Sequence, residues 1–196
     1  MDTMLDTIGS MVVAGLIMLA VMNMNVSLAD TGSDTNIQVI TQSNLTDIAD
    51  GITYDFYKIG FRTSPAIIFA DTSAIAFCAD LEKDGTPDTV RYWISPPLAG
   101  SGLNPNMLIL YRSVNSNSPT GASLGQTSFV LNYYDSTGAE LSIPAGGTSS
   151  QSVLSRIKSI KIALMVESPT QLMSDSTFAG AYWVQYISPK NLRSLM

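Results

Sequence analysis

The sequence predicts an α+β protein: a long N-terminal helix, first hydrophobic and then amphipathic, packed on a C-terminal antiparallel β-sheet. Three observations carry this. Ile8 to Ala29 runs 22 residues without a formal charge or a proline. Between Leu45 and Ile59 apolar residues recur at steps of three and four, the period of a helix with one buried face. Beyond residue 60, short segments rich in β-branched and aromatic residues alternate with turn residues, the mark of strands.

Composition narrows the function classes. The chain has 196 residues, which suits one ordinary domain plus an added element. Hydrophobic residues make up 45% and charged residues only 13%, so the chain is not disordered. There is no histidine, which removes His-based triads, His metal sites and His proton shuttles. Cys78 is the single cysteine, so no internal disulfide and no Cys-cluster metal site can form. The ten basic residues form no run, which argues against a nucleic-acid partner. The net charge of −6 is uneven: seven aspartates, from Asp2 to Asp55, precede the first basic residue, Lys58. The net negative charge therefore sits in the N-terminal third.

The first element, residues 1–30, is hydrophobic. A 22-residue helix spans roughly 30 Å at 1.5 Å per residue, the thickness of a bilayer core. Three readings compete. Ser27-Leu28-Ala29 is a passable signal-peptidase site, but Asp2 and Asp6 stand where a signal peptide carries positive charge. A plain single-pass anchor fits the length, but no flanking Lys or Arg sets its orientation, and Asn23 and Asn25 interrupt the apolar run. The favoured reading is a helix held first in a membrane and then buried in a protein assembly. Gly9, Ser10, Ala14, Gly15 and Ala20 permit close helix approach, and Met4, Met11, Met18, Met22 and Met24 supply adaptable packing. A carboxylate such as Asp6 beside an apolar span is costly and usually has a partner. Helix capping by Asp2 and Asp6 is the simpler role, compatible with every reading.

Thr31-Gly32-Ser33-Asp34 then predicts a break in the helix, centred on Gly32 and Ser33. Residues 31–60 follow as an amphipathic continuation. Ile40, Leu45, Ile48, Ile52, Phe56 and Ile59 form its apolar stripe, and Asp47, Asp50 and Asp55 fall on or near the other face. Gly60 can end it.

Residues 61–196 read as a globular antiparallel β domain. The expected strands are Ala66–Phe69, Ala74–Ala79, Thr89–Ile94, Met107–Ser113, Thr127–Tyr134, Lys158–Glu167 and Tyr182–Ile187. Ile160, Ile162, Leu164 and Val166 alternate with Lys161, Ala163, Met165 and Glu167, so one sheet face is apolar and the helix stripe can cover it. Loops are expected over Ser95–Pro105, Asn115–Gln126 and Ser136–Gln151.

These elements, in this order, resemble type IV pilins and the pseudopilins of type II secretion. Local motifs are most similar to minor pilins of the PilW/PulJ type. Tyr54-Asp55-Phe56-Tyr57-Lys58-Ile59-Gly60-Phe61 is similar to the end of their long helix. The stretch from Asp80 to Tyr92, DLEKDGTPDTVRY, is similar to their acidic hairpin turn and the strand after it. Leu110-Tyr111-Arg112-Ser113-Val114-Asn115, Tyr133-Tyr134-Asp135-Ser136-Thr137-Gly138 and Ile187-Ser188-Pro189-Lys190-Asn191-Leu192 also fit. Pilin precursors carry a short basic leader ahead of a Phe-Thr-Leu-Ile-Glu-like start. In a frame without Met1, Asp2-Thr3-Met4-Leu5-Asp6 mimics that start, with Asp6 in place of the glutamate. The leader is then either already trimmed or dispensed with in this branch.

The resemblance implies a subunit of an extracellular helical filament. Monomers would wait in the membrane by their N-terminal helix, then be stacked by an assembly machinery with helices inward. Asp6 would inherit the family glutamate's pairing with a neighbour's N-terminal amine, and that pairing favours one register because two buried charges cancel only there. Ile8, Val12, Val13, Leu16, Ile17 and Leu19 would supply most of the buried apolar area. A minor pilin or pseudopilin, or a membrane-anchored surface binding module, is the alternative.

Other features carry less. Asp80, Glu82, Asp84 and Asp88, with Gly85, imitate the start of a calcium loop, but Arg91 stands where a bidentate Glu belongs and Lys83 lies inside. A plain turn is the favoured reading, and no cofactor other than that possible calcium is expected. Cys78 is expected to be a buried, inert thiol. Asn25-Val26-Ser27 and Asn44-Leu45-Thr46 match the glycosylation sequon. No phosphate loop and no nucleophile elbow occurs, and no enzymatic activity is expected.

Overall fold

The computed structural model describes residues 2–95, 104–115 and 117–193. Residues 96–103 of the expected Ser95–Pro105 loop lie outside them, as does Ser116 of the expected Asn115–Gln126 loop. The first element, α1 (Asp2–Tyr57), is one continuous helix of 56 residues, roughly 84 Å long at 1.5 Å per residue. The globular part follows as β1 (Ile67–Ala70), β2 (Ala74–Ala79), β3 (Asp88–Ile94), β4 (Leu110–Val114), β5 (Thr120–Ala122), β6 (Gln126–Tyr134), β7 (Glu140–Leu141), α2 (Gln151–Leu154), β8 (Ser159–Gln171), β9 (Phe178–Ile187) and α3 (Lys190–Arg193). The α+β class is as the sequence predicts: a long N-terminal helix followed by antiparallel sheet structure.

The expected break at Gly32 and Ser33 is absent, because α1 passes through Thr31–Asp34 without interruption. Thr31 and Thr35 turn their hydroxyls back onto the helix, donating to Ser27 O and Thr31 O at 2.8 Å each. Established helix on both sides also removes the cost of nucleating a new one. The helix stops where Gly60 predicts. Gly60 has φ +72° and donates its N–H to Cys78 O at 2.9 Å, tying the helix end to β2.

Two antiparallel sheets stand where one was expected. β1 to β5 form a meander in sequence order, and the second sheet has the order β7-β6-β8-β9. The β1–β2 turn joins the two: Leu131 N–H donates to Thr72 O and the Tyr133 hydroxyl to Asp71 O, both at 2.8 Å. The alternation in β8 is as expected, with Ile160, Ile162, Leu164 and Val166 buried on one face. The β8–β9 ladder is longer than the alternation suggests, reaching Gln171 paired with Phe178.

The C-terminal half of α1 packs on β8 and β9 and also reaches the first sheet. Phe56 is fully buried at this seam, with ring centroids 5.7 Å from Phe77 and 5.8 Å from Tyr92. The inward stripe is Asp34, Thr41, Leu45, Ile48, Ala49, Ile52, Asp55 and Phe56, continued past the helix end by Ile59. Ile40 is not on it: the residue is exposed and Thr41, one step of about 100° away, faces in instead. Asp55 is likewise corrected from the outer face to the buried one.

Candidate functional site

The N-terminal half of α1 stands clear of the body. All the residues there whose side chains are described, from Thr3 to Ala29, are exposed. The predicted assembly residues Ile8, Val12, Val13, Leu16, Ile17 and Leu19 are each between 55% and 62% exposed. No polar face balances them, since Met11, Met18, Val21, Met22, Val26 and Leu28 cover the remaining directions and are also exposed. By length and composition the helix can cross a membrane. Such a surface is stable in lipid or against other protein, not in water.

Asp6 lies on this half, exposed and without an ion-pair partner among the described residues. The first basic residue of the chain, Lys58, follows the far end of α1, about 75 Å along its axis. No basic side chain on α1 itself can therefore neutralise Asp6. The side chain of Asp2 lies outside the described residues.

Where α1 enters the body, Asp34 is 6% exposed and accepts hydrogen bonds from two backbone N–H groups and the Ser174 side chain of the turn between β8 and β9. Met173 N–H donates to Oδ1 at 2.7 Å and Ser174 N–H to Oδ2 at 3.1 Å. The Ser174 side chain first, and then the Met173 N–H, hold this carboxyl below its usual value. Deeper in, one oxygen of Asp55 takes both the Tyr92 hydroxyl and Arg112 Nε at 2.6 Å. Burial, followed by the charge of Asp55, pushes the Tyr92 phenol far above its ordinary range. This cluster fixes α1 to β3 and β4 at once.

The four acidic residues of the β2–β3 turn do not gather around a common point. Asp88 takes the Leu81 N–H at 3.0 Å and Asn115 Nδ2 at 2.8 Å. Asp84 caps Thr86 N–H at 2.7 Å. Asp80 is buried, takes Gly85 N–H at 3.3 Å and lies 3.6 Å from Arg62, while its Oδ1 has no partner among the described residues. Glu82 is exposed. Among the described residues no group of three or more acidic or thiol side chains is placed to hold a metal, and Asp80, Asp84 and Asp88 of the weak calcium candidate Asp80, Glu82, Asp84 and Asp88 serve as hydrogen-bond acceptors within the turn. Cys78 is half-buried rather than buried, 3.9 Å from the Thr89 hydroxyl.

Sequence reasoning placed the exposed apolar half but missed the groups that fix its base. Asp55, Tyr92 and Arg112 lie inside stretches similar to minor pilins and Asp34 in the expected break, but no motif gives any of the four a role in fixing the helix. One signal was available: Asp55 falls in register with Ile48, Ile52 and Ile59, so a charge stands in the apolar stripe. Neither the protein-family models nor the curated proteins match this sequence.

Proposed function

We propose that the chain is a structural, non-catalytic subunit of an extracellular type IV pilus-like filament, held in a membrane by α1 before assembly. One observation carries the reading: half of a 56-residue helix is apolar on every side and exposed, while the other half is built into the body. Lipid covers such a helix before assembly, and the same half of neighbouring copies covers it afterwards. The apolar helix packed on antiparallel sheet is compatible with a pilin-like fold, and the ordered motifs resemble minor pilins. In a stacked core Asp6 meets its counter-charge on a neighbour, the family's pairing with an N-terminal amine. The partners are then copies of the chain, a membrane and an assembly machinery.

Removal of detergent from the full-length protein tests this. The proposal expects polymers that sediment and appear as filaments, and a Leu16→Asp variant that stays dispersed. Insertion into vesicles as separate copies, with no polymer at any concentration, would instead favour an anchored surface module.

A further inference from the structure

We propose that Asp34 and the β8–β9 turn form a latch that keeps α1 straight, and that Thr31–Asp34 becomes a hinge when the latch opens. The inference stands apart from the filament reading, since it concerns how one chain aims its apolar half. Thr31, Gly32, Ser33 and Asp34 are four consecutive residues of low helix propensity, yet all are helical. Above them α1 has no tertiary support, because the described side chains from Thr3 to Ala29 are exposed. Below them α1 meets the body along a narrow stripe only: Ile37 is half-buried and Thr41 buried, while Gln38, Val39 and Ile40 are exposed. An open cleft of about 490 Å³ separates Gln38, Val39, Thr41 and Gln42 from Leu172 and Phe178.

The backbone hydrogen bonds to Asp34 join residues 139 and 140 positions apart. They lie on a narrow stripe, with Asp30, Ser33 and Ile37 half-buried beside them and Thr41 buried further along. The turn that donates them holds itself together. Leu172 N–H donates to Thr177 O at 2.7 Å, and Asp175 accepts from Thr177 N–H at 3.0 Å and from the Thr177 hydroxyl at 2.7 Å. It therefore survives loss of Asp34, whereas the helix segment loses its long-range hydrogen bonds to the body. With the latch closed, helix and body move as one. With it open, the weak segment bends and the apolar half swings against the body.

Hydrogen exchange and spin-label distances on the full chain in detergent micelles test this. Labels go on Val21→Cys and Ser136→Cys in a Cys78→Ser background. The native latch should give a single narrow distance distribution and slow exchange across residues 27–38. Asp34→Ala should broaden the distribution and speed exchange at Thr31–Asp34 by tenfold or more. Gly32→Ala in that background should restore both, since a Cβ at Gly32 meets nothing within 4 Å and raises only helix propensity. Asp34→Asn should fall between the native protein and Asp34→Ala, and provides the comparison if the alanine variant does not fold. Unchanged exchange and width in both Asp34 variants would overturn the proposal. So would faster exchange confined to the β8–β9 turn, which would mean that Asp34 only steadies the turn.

Discussion

Individual carboxylates decide how α1 is held. Asp55 is the strictest case, because one buried oxygen serves Tyr92 and Arg112 together. Asp55→Ala leaves the Tyr92 hydroxyl buried without an acceptor and the guanidinium without its anion, so it should cost about 3 kcal/mol in a denaturant titration. Tyr92→Phe removes one bond and leaves the ion pair, so its loss should be smaller. Asp34 gives a pH signature. Its folded value is depressed below the ordinary 3.8, so the stability it adds is complete above 3.8. That contribution fades as pH falls below 3.8 through the folded value. An acid titration of native protein should therefore show a steeper stability loss there than Asp34→Asn does.

At the scale of elements, the long helix was legible and its continuity was not. Composition marks Ile8–Ala29 as apolar, and the three-four period marks Leu45–Ile59 as half-buried. The residues between them, Thr31 to Asp34, favour a break on local grounds, and the hydrogen bonds of Asp34 to Met173 and Ser174, far along the chain, leave no local signal. β3, β6 and β8 bury alternate residues and so carry a period of two, whereas β2 buries Ile75, Ala76 and Phe77 in succession and was readable from its apolar composition between turns. β5 and β7 were not, being three and two residues long inside Ser- and Gly-rich stretches. Alternation also cannot say which strands share a sheet, and two sheets formed where one was expected. The seam between them depends on Phe56. Phe56→Ala should cost about 3–5 kcal/mol, read by thermal or denaturant unfolding, because its ring fills a site shared by α1 and the first sheet.

The whole molecule divides into a stable body and a surface that water does not suit. Its apolar half was legible because hydropathy is a local property. The fixing of that half to the body was not, because it rests on pairs such as Asp34–Met173 and Asp55–Arg112 that are distant in sequence. The same division gives a clean separation of phenotypes. Asp6→Ala should leave the melting temperature of the body unchanged, since Asp6 lies on the exposed half of α1. In the proposed filament it should cut yield by about tenfold, the effect of losing only about 1.4 kcal/mol of subunit binding. The central claim is that copies of the chain cover the exposed half of α1. Electron microscopy of the full-length protein sheared from its source cells tests this most directly. Uniform filaments with a core of packed N-terminal helices, and with Asp6 facing a neighbour, are expected. Dispersed particles or membrane patches alone would contradict that claim.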